Sequence, residues 1–241
     1  MKKQTTTLIM YSHSSYSDVW PIFFKQSELY LSKYKKVLFS DNDLGLKPPD
    51  WDFVSYDDND NYAQRMASCL EKINTPLSFL HHEDMPLYKK PNYDLLDKYE
   101  SIVLKEDIDF IRLLRSVDDL TFNYRAVRTL FPVPSHSQYF FAVQPTIFKT
   151  ERLLEIYEKT EINSIRDFEI NAQKVCRDNG IKGLFHYDEE PKSGLFHYDS
   201  NVYPYIATAI VKGKWNLSGY PKLLKEMLQE FKIESSIRGE I

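Results

Sequence analysis

Apolar residues in this chain come in short runs that stop on acidic ones, and the spacing between them switches between the strand period and the helix period. Thr5 to Tyr11 reads as a strand that ends in the polar segment Ser12-His13-Ser14-Ser15-Tyr16-Ser17-Asp18. Val19 to Tyr34 then carries apolar residues at helical spacing, with Asp18 placed to cap it. Val37 to Ser40 is a second strand, halted by Asp41-Asn42-Asp43, and Phe53 to Tyr56 a third, halted by Asp57-Asp58-Asn59-Asp60. A helix over Asn61 to Ile73 leads into the strand Leu77 to Leu80, which runs straight onto His81-His82-Glu83-Asp84.

Strands separated by helices indicate βαβ units and a mainly parallel α/β sheet flanked by helices. In such a sheet Asp41, Asp57, Glu83 and Asp84 all project from one edge, where ligands of open sheets bind. Residues 1–90 therefore read as a nucleotide-binding half. They contain neither GxGxxG nor GxxxxGK[ST], so dinucleotide and P-loop readings lose their main support.

Beyond that half, residues 91–130 look helical and charged, with Ile108, Ile111, Leu114 and Val117 spaced for one buried face. Gln138 to Phe148 is aromatic and apolar. Helices are predicted over Glu151 to Lys159 and over Ile165 to Asp178, the latter ending at Gly180. Ile206 to Val211 reads as a last strand and Pro221 to Lys232 as a closing helix. The hexapeptide Gly183 to Asp188 recurs as Gly194 to Asp199, which predicts a hairpin turning between the copies. With no low-complexity linker, residues 1–241 read as one domain whose second half forms a smaller sub-lobe.

Composition narrows the partners. A net charge of -4, from 31 Lys+Arg against 35 Asp+Glu, gives no electrostatic footprint for nucleic acid. No apolar run approaches the roughly 20 residues of a membrane span. Lys2 and Lys3 precede too short an apolar core for a signal peptide, so a cytoplasmic location is expected. The closing helix sets Leu224, Leu228 and Phe231 against Lys222, Lys225 and Lys232, a pattern that fits either core packing or rest on a membrane surface. Cys69 and Cys176 fall in helical patterns and read as free thiols.

Candidate chemistry follows from the strand ends. Asp84 is the first candidate ligand for a hard divalent cation, with Glu83 and His82 beside it on alternating faces. Arg65, one helical turn past Asn61, can reach a diphosphate from the same edge. Glu169, near a helix start between Phe168 and Ile170, is suited to take a proton from a hydroxyl. In Lys212-Gly213-Lys214-Trp215 two lysines flank a glycine that lets an anion approach the backbone, and the Trp can seal a pocket.

Four segments, in order, resemble the sugar-nucleotide-dependent glycosyltransferases of the GT-A fold that build bacterial and viral surface glycans. His82-Glu83-Asp84 stands in the place of that family's DxD, and Phe141 to Phe148 is similar to its F-x-x-Q-P-x-I-W. Phe168-Glu169 is similar to the end of W-x-F-E, and Ala209 to Trp215 to a closing G-K-W segment. His82 replaces the first Asp, while Phe148 and Arg166 replace two tryptophans. The resemblance implies a GT-A-like fold and a nucleotide-diphosphate sugar donor. It also implies a glycan or lipid-linked acceptor and Mn²⁺ or Mg²⁺ at Asp84, with His82 and His197 as further ligands. It makes Glu169 the base of an inverting transfer and puts Gln144 on the acceptor side. Ser12, His13 and Asp41 would contact the nucleoside, and Asp57, Arg65, Glu83, Lys212, Lys214 and Trp215 would complete the donor site. A metal-dependent phosphoester hydrolase and a non-catalytic glycan-binding module stay open beside it.

Overall fold

A computed structural model of the chain describes residues 4–115, 120–161, 165–191 and 199–241. Its first half alternates as expected: β1 (Thr6–Tyr11), α1 (Trp20–Tyr30), β2 (Lys35–Ser40), β3 (Trp51–Ser55), α2 (Tyr62–Leu70) and β4 (Leu77–His82). The apolar run of β4 does not stop at Leu80. It carries His81 into the core at 1% exposure, where burial pushes its imidazole pKa down to about 3. Asn61 and Gln64 close a reciprocal capping box on α2. Asp18 does not cap α1; Val19 takes that position with no side-chain bond, because the Asp18 carboxylate is held by Arg238.

The second half supplies α3 (Tyr93–Lys105), β5 (Phe110–Arg112), β6 (Leu130–Pro132), β7 (Thr146–Lys149), α4 (Thr150–Lys159), α5 (Ile165–Asp178) and β8 (Gly183–His186). Eight strands form one sheet in the order β3-β2-β1-β4-β7-β5-β8-β6. The pairs β3-β2, β2-β1, β1-β4 and β5-β8 are parallel, and β7 runs antiparallel between β4 and β5. The C-terminal ends of β1, β2, β3, β4, β5 and β8 therefore share an edge with the start of β7.

The helical reading of residues 91–130 ends at Lys105, because Phe110–Arg112 fills the gap between β7 and β8; Ile108, Ile111 and Leu114 are buried, but on a strand and its flanks, and Val117 lies outside the described residues. The first copy of the repeat, β8, has β5 on one side and β6 on the other. Most of the second copy, including His197, lies outside the described residues. At Gly183 that packing leaves no room for a side chain, since a Cβ would fall 1.9 Å from the Phe110 ring.

The strand expected at Ile206 to Val211 is reduced to β9 (Ile210–Val211), paired with β10 (Lys214–Trp215) in a separate two-stranded sheet. Thr208, at φ +71°, breaks the extended backbone before it. Residues 206–209 instead cross the end of β4, where Ile206 N–H bonds to Pro86 O at 2.9 Å and Ala209 N–H to Asp84 O at 3.0 Å. Helix α6 (Leu223–Glu230) and the short α7 (Ser235–Arg238) follow. Leu224 and Leu228 are buried against Val19, Ile22, Ile206 and Trp215, so the apolar face that a membrane reading needs belongs to this satellite core. No helix among the described residues is long and apolar enough to cross a membrane.

Candidate functional site

The strand order reverses direction at β1: the chain proceeds from β1 outward to β2 and β3, then returns to place β4 on the other side. Loops leaving β1 and β4 diverge at such a point and open a crevice at their C-terminal ends. The structure has a cavity of about 340 Å³ there. Tyr11, Ser12, His13 and Tyr16 form the β1 wall, His82, Glu83 and Asp84 the β4 wall, and Arg65 and the Lys212-Gly213 turn the remaining sides.

Ser12 is the hinge of the β1 wall. Its Oγ accepts the Trp20 indole N–H at 2.7 Å and its carbonyl accepts the Tyr56 hydroxyl at 2.7 Å, which fixes where the chain turns away from the sheet. His13 then points its Nε2 toward Asp58 at 3.4 Å and Asp41 at 3.8 Å. Asp41 receives Ser14 N–H and Ser14 O–H, each at 2.6 Å. Burial raises its pKa, but these bonds with that from Ser40 outweigh burial and hold the carboxyl below its ordinary value.

Arg65 is held more tightly than its sequence position suggests. Its Nε donates to Asp60 O at 2.8 Å, a terminal nitrogen lies 2.7 Å from the Asp58 carboxylate, and the guanidinium stands 5.1 Å above the Tyr56 ring. Tyr56 in turn stacks on Tyr11 with ring centroids 5.5 Å apart.

On the β4 wall, Glu83 and Asp84 follow one another at the strand end. Burial raises the pKa of both, and for Glu83 the adjacent Asp84 charge adds to it. Two enclosed carboxylates side by side resist ionising together unless positive charge joins them. His82 Nε2 pairs with the Tyr62 hydroxyl at 3.0 Å, and burial lowers its pKa to about 4, so its ring is neutral. Lys212 lines the same cavity from the β9–β10 turn, where Lys212 and Gly213 both take positive φ, +51° and +77°. That is the turn a two-residue hairpin favours, and only its first position is strained by a side chain.

Not every expected residue reaches the cavity. Asp57 is exposed and accepts Asn59 N–H in a local turn, while its neighbour Asp58 makes the contacts to Arg65 and His13. Trp215 is fully buried in the satellite core, with no partner for its indole nitrogen, and seals nothing. Lys214 lies along Gly239 on the other side of the turn. Gln144 is buried and accepts the Tyr205 hydroxyl at 2.5 Å.

Glu169 is absent from the cavity wall, yet it stands at the same sheet edge. Its carboxylate accepts Val143 N–H at 2.8 Å, three residues before β7, and Thr146 of β7 pairs with Leu80 of β4. Phe168 supplies the apolar setting by stacking on Tyr157 at 4.4 Å, whereas Ile170 is exposed. Gln173 clamps Phe141 through both its backbone N–H and its carbonyl, each at 2.8 Å, and so ties α5 to the 141–143 loop. Arg112, buried behind that loop, donates to Tyr139 O at 3.0 Å and to Phe140 O at 2.8 Å. Tyr11 and Tyr16 carried no chemical signal in the sequence, whereas Asp58 belongs with Asp57 to the acidic stop that follows β3.

No family model matches the sequence, and no curated protein sequence matches it. Solved structures are similar in fold. The structure of residues 1–349 of S. aureus TarS is 10% identical, with 98% of this chain and 68% of that chain covered at a TM-score of 0.53. TarS in complex with UDP gives the same values. A CMP:2-keto-3-deoxy-manno-octonic acid synthetase complexed with CTP is 10% identical over 76% of this chain and 89% of that one, at a TM-score of 0.49. With its mainly parallel eight-stranded sheet flanked by helices, the chain has a GT-A-like α/β fold.

Proposed function

We propose that this protein transfers a sugar from a nucleoside-diphosphate donor to a hydroxyl of a glycan or lipid-linked acceptor, with inversion. The observation that carries the reading is the cavity between β1 and β4, whose lining includes the paired carboxylates Glu83 and Asp84 together with Lys212. Two acids and a lysine around one opening suit a diphosphate that arrives with a cation. No group of three or more His, Cys, Asp or Glu among the described residues is placed to cage a metal. A magnesium-like ion held by one or two carboxylates, with substrate phosphates and water completing its shell, fits these residues. Mn²⁺ or Mg²⁺ there would supply positive charge against the departing diphosphate. Asp84 and Glu83 would hold it, and Lys212 would share the load.

The attacking group needs a base on the opposite face of the sugar. Glu169 fills that role in this reading: it takes the hydroxyl proton while the oxygen bonds to the anomeric carbon and the bond to the diphosphate oxygen breaks. The Val143 N–H fixes the carboxylate. Products test the proposal against its rivals. Incubation with nucleotide sugars, Mn²⁺ and candidate acceptor glycans is expected to release nucleoside diphosphate. Pyrophosphate released from a nucleoside triphosphate in the presence of a sugar phosphate would assign nucleotidyl transfer, inorganic phosphate from phosphoesters a hydrolase, and binding without turnover a glycan-recognition module. Glu169→Gln is expected to lower the transfer rate by roughly 10² to 10⁴ while leaving nucleotide affinity within twofold.

A further inference from the structure

Arg238 lies in α7, 220 positions along the chain from Asp18, and its guanidinium joins two of the segments that line the cavity, the β1 loop and the Lys212-Gly213 turn. Nε donates to Asp18 Oδ2 at 2.9 Å, and a terminal nitrogen bonds to the other Asp18 oxygen, a bidentate pair. The remaining donors go to Ser15 O and to Gly213 O, each at 3.2 Å. The cation also sits 4.6 Å from the Tyr16 ring centroid. Tyr16 and Gly213 line the cavity and Arg238 does not.

The backbone around Arg238 is anchored independently of its side chain. Trp215 N–H bonds to Gly239 O at 2.9 Å, Ile241 N–H to Trp215 O at 3.0 Å, and Ser218 N–H to Ile241 O at 2.7 Å. Residues 239–241 thus extend β10 as a third strand would, and deliver the guanidinium to the junction. The side chain is then free of any folding duty except holding Ser15–Asp18 to Gly213. Its charge also lowers the pKa of Glu83, against the larger effect of burial.

We infer that Arg238 is a positioning residue for diphosphate binding: it sets the spacing between the β1 loop and the Lys212-Gly213 turn, so that Lys212 and the Glu83-Asp84 pair meet one ligand. This rests on the diphosphate reading of the cavity. Arg238 does not line the cavity, which distinguishes it from Lys212 and Arg65.

The test compares wild type, Arg238→Gln and Asp18→Ala, with inorganic pyrophosphate and Mn²⁺ as the probe. Titration calorimetry is expected to show about tenfold weaker pyrophosphate binding for Arg238→Gln and a severalfold loss for Asp18→Ala, which breaks the clamp but leaves the cation in place. Without ligand, amide exchange at Tyr16, Ser17 and Lys214 is expected to quicken in Arg238→Gln, and at Tyr16 and Ser17 in Asp18→Ala. Faster exchange with unchanged pyrophosphate affinity in Arg238→Gln overturns the inference, and so does unchanged exchange. If Arg238→Gln weakens binding while Asp18→Ala quickens exchange and leaves affinity unchanged or tighter, Arg238 contacts the anion directly and the positioning role is rejected. Absence of pyrophosphate binding in wild type, with exchange responding as expected, rejects the diphosphate reading and this inference with it.

Discussion

Asp41 halts β2, and the structure turns that stop into a clamp. Its two oxygens take the amide and hydroxyl of Ser14, which sets the direction of the β1 loop and hence of His13. Because its pKa is lower folded than unfolded, the stability it contributes is present above the ordinary carboxylate pKa and is lost as pH falls through the depressed value. Asp41→Asn is therefore expected to lose roughly 2 kcal/mol at pH 7, with the difference from wild type shrinking in urea titrations as pH falls below the ordinary carboxylate range. A constant difference throughout that fall in pH would remove the ionised carboxylate from the account. Such residues were legible because polar side chains at strand ends have few places to go. Glu83, Asp84, Ser12 and Lys212 share this property and all reach the cavity. Trp215 did not follow its motif, because a large ring next to an apolar strand gains more by burial than by exposure at a pocket rim.

At the scale of elements, the β9–β10 turn combines a structural cost with a chemical use. Lys212 occupies the left-handed region, which costs an ordinary side chain about 1 kcal/mol, while Asn tolerates it. Lys212→Asn is expected to raise the melting temperature by about 2 °C and to weaken pyrophosphate binding severalfold. A variant that gains stability and keeps its affinity would show that Lys212 is only a turn residue. The elements themselves were readable where periodicity was long: α1, α2, α4 and α5 lie within two to four residues of their expected bounds. Short apolar runs were not. Phe110–Arg112 and Gly183–His186 are three and four residues long, and their partners are chosen by sheet order, which no local spacing encodes. The clamp by Arg238 was invisible for the same reason, since α7 and Asp18 meet only in the fold.

The whole molecule is organised by one topological fact. Strands β1 to β4 are parallel in the order β3-β2-β1-β4, so the acidic ends of β2, β3 and β4 and the polar end of β1 share an edge. The alternation in the first half made that edge readable, and the acidic stops made its charge readable. What the chain adds beyond it, the antiparallel β7 that brings Val143 and Glu169 to the same edge, depends on contacts between Leu80 and Thr146 far apart in sequence. The most direct test of the cavity as a diphosphate site is calorimetric titration of wild type and Asp84→Asn with a panel of nucleoside diphosphates, with and without Mn²⁺. The account expects at least one nucleotide to bind wild type more tightly when Mn²⁺ is present, and Asp84→Asn to lose about tenfold in affinity together with that Mn²⁺ dependence. Equal binding by both proteins, with the same response to Mn²⁺, would contradict it.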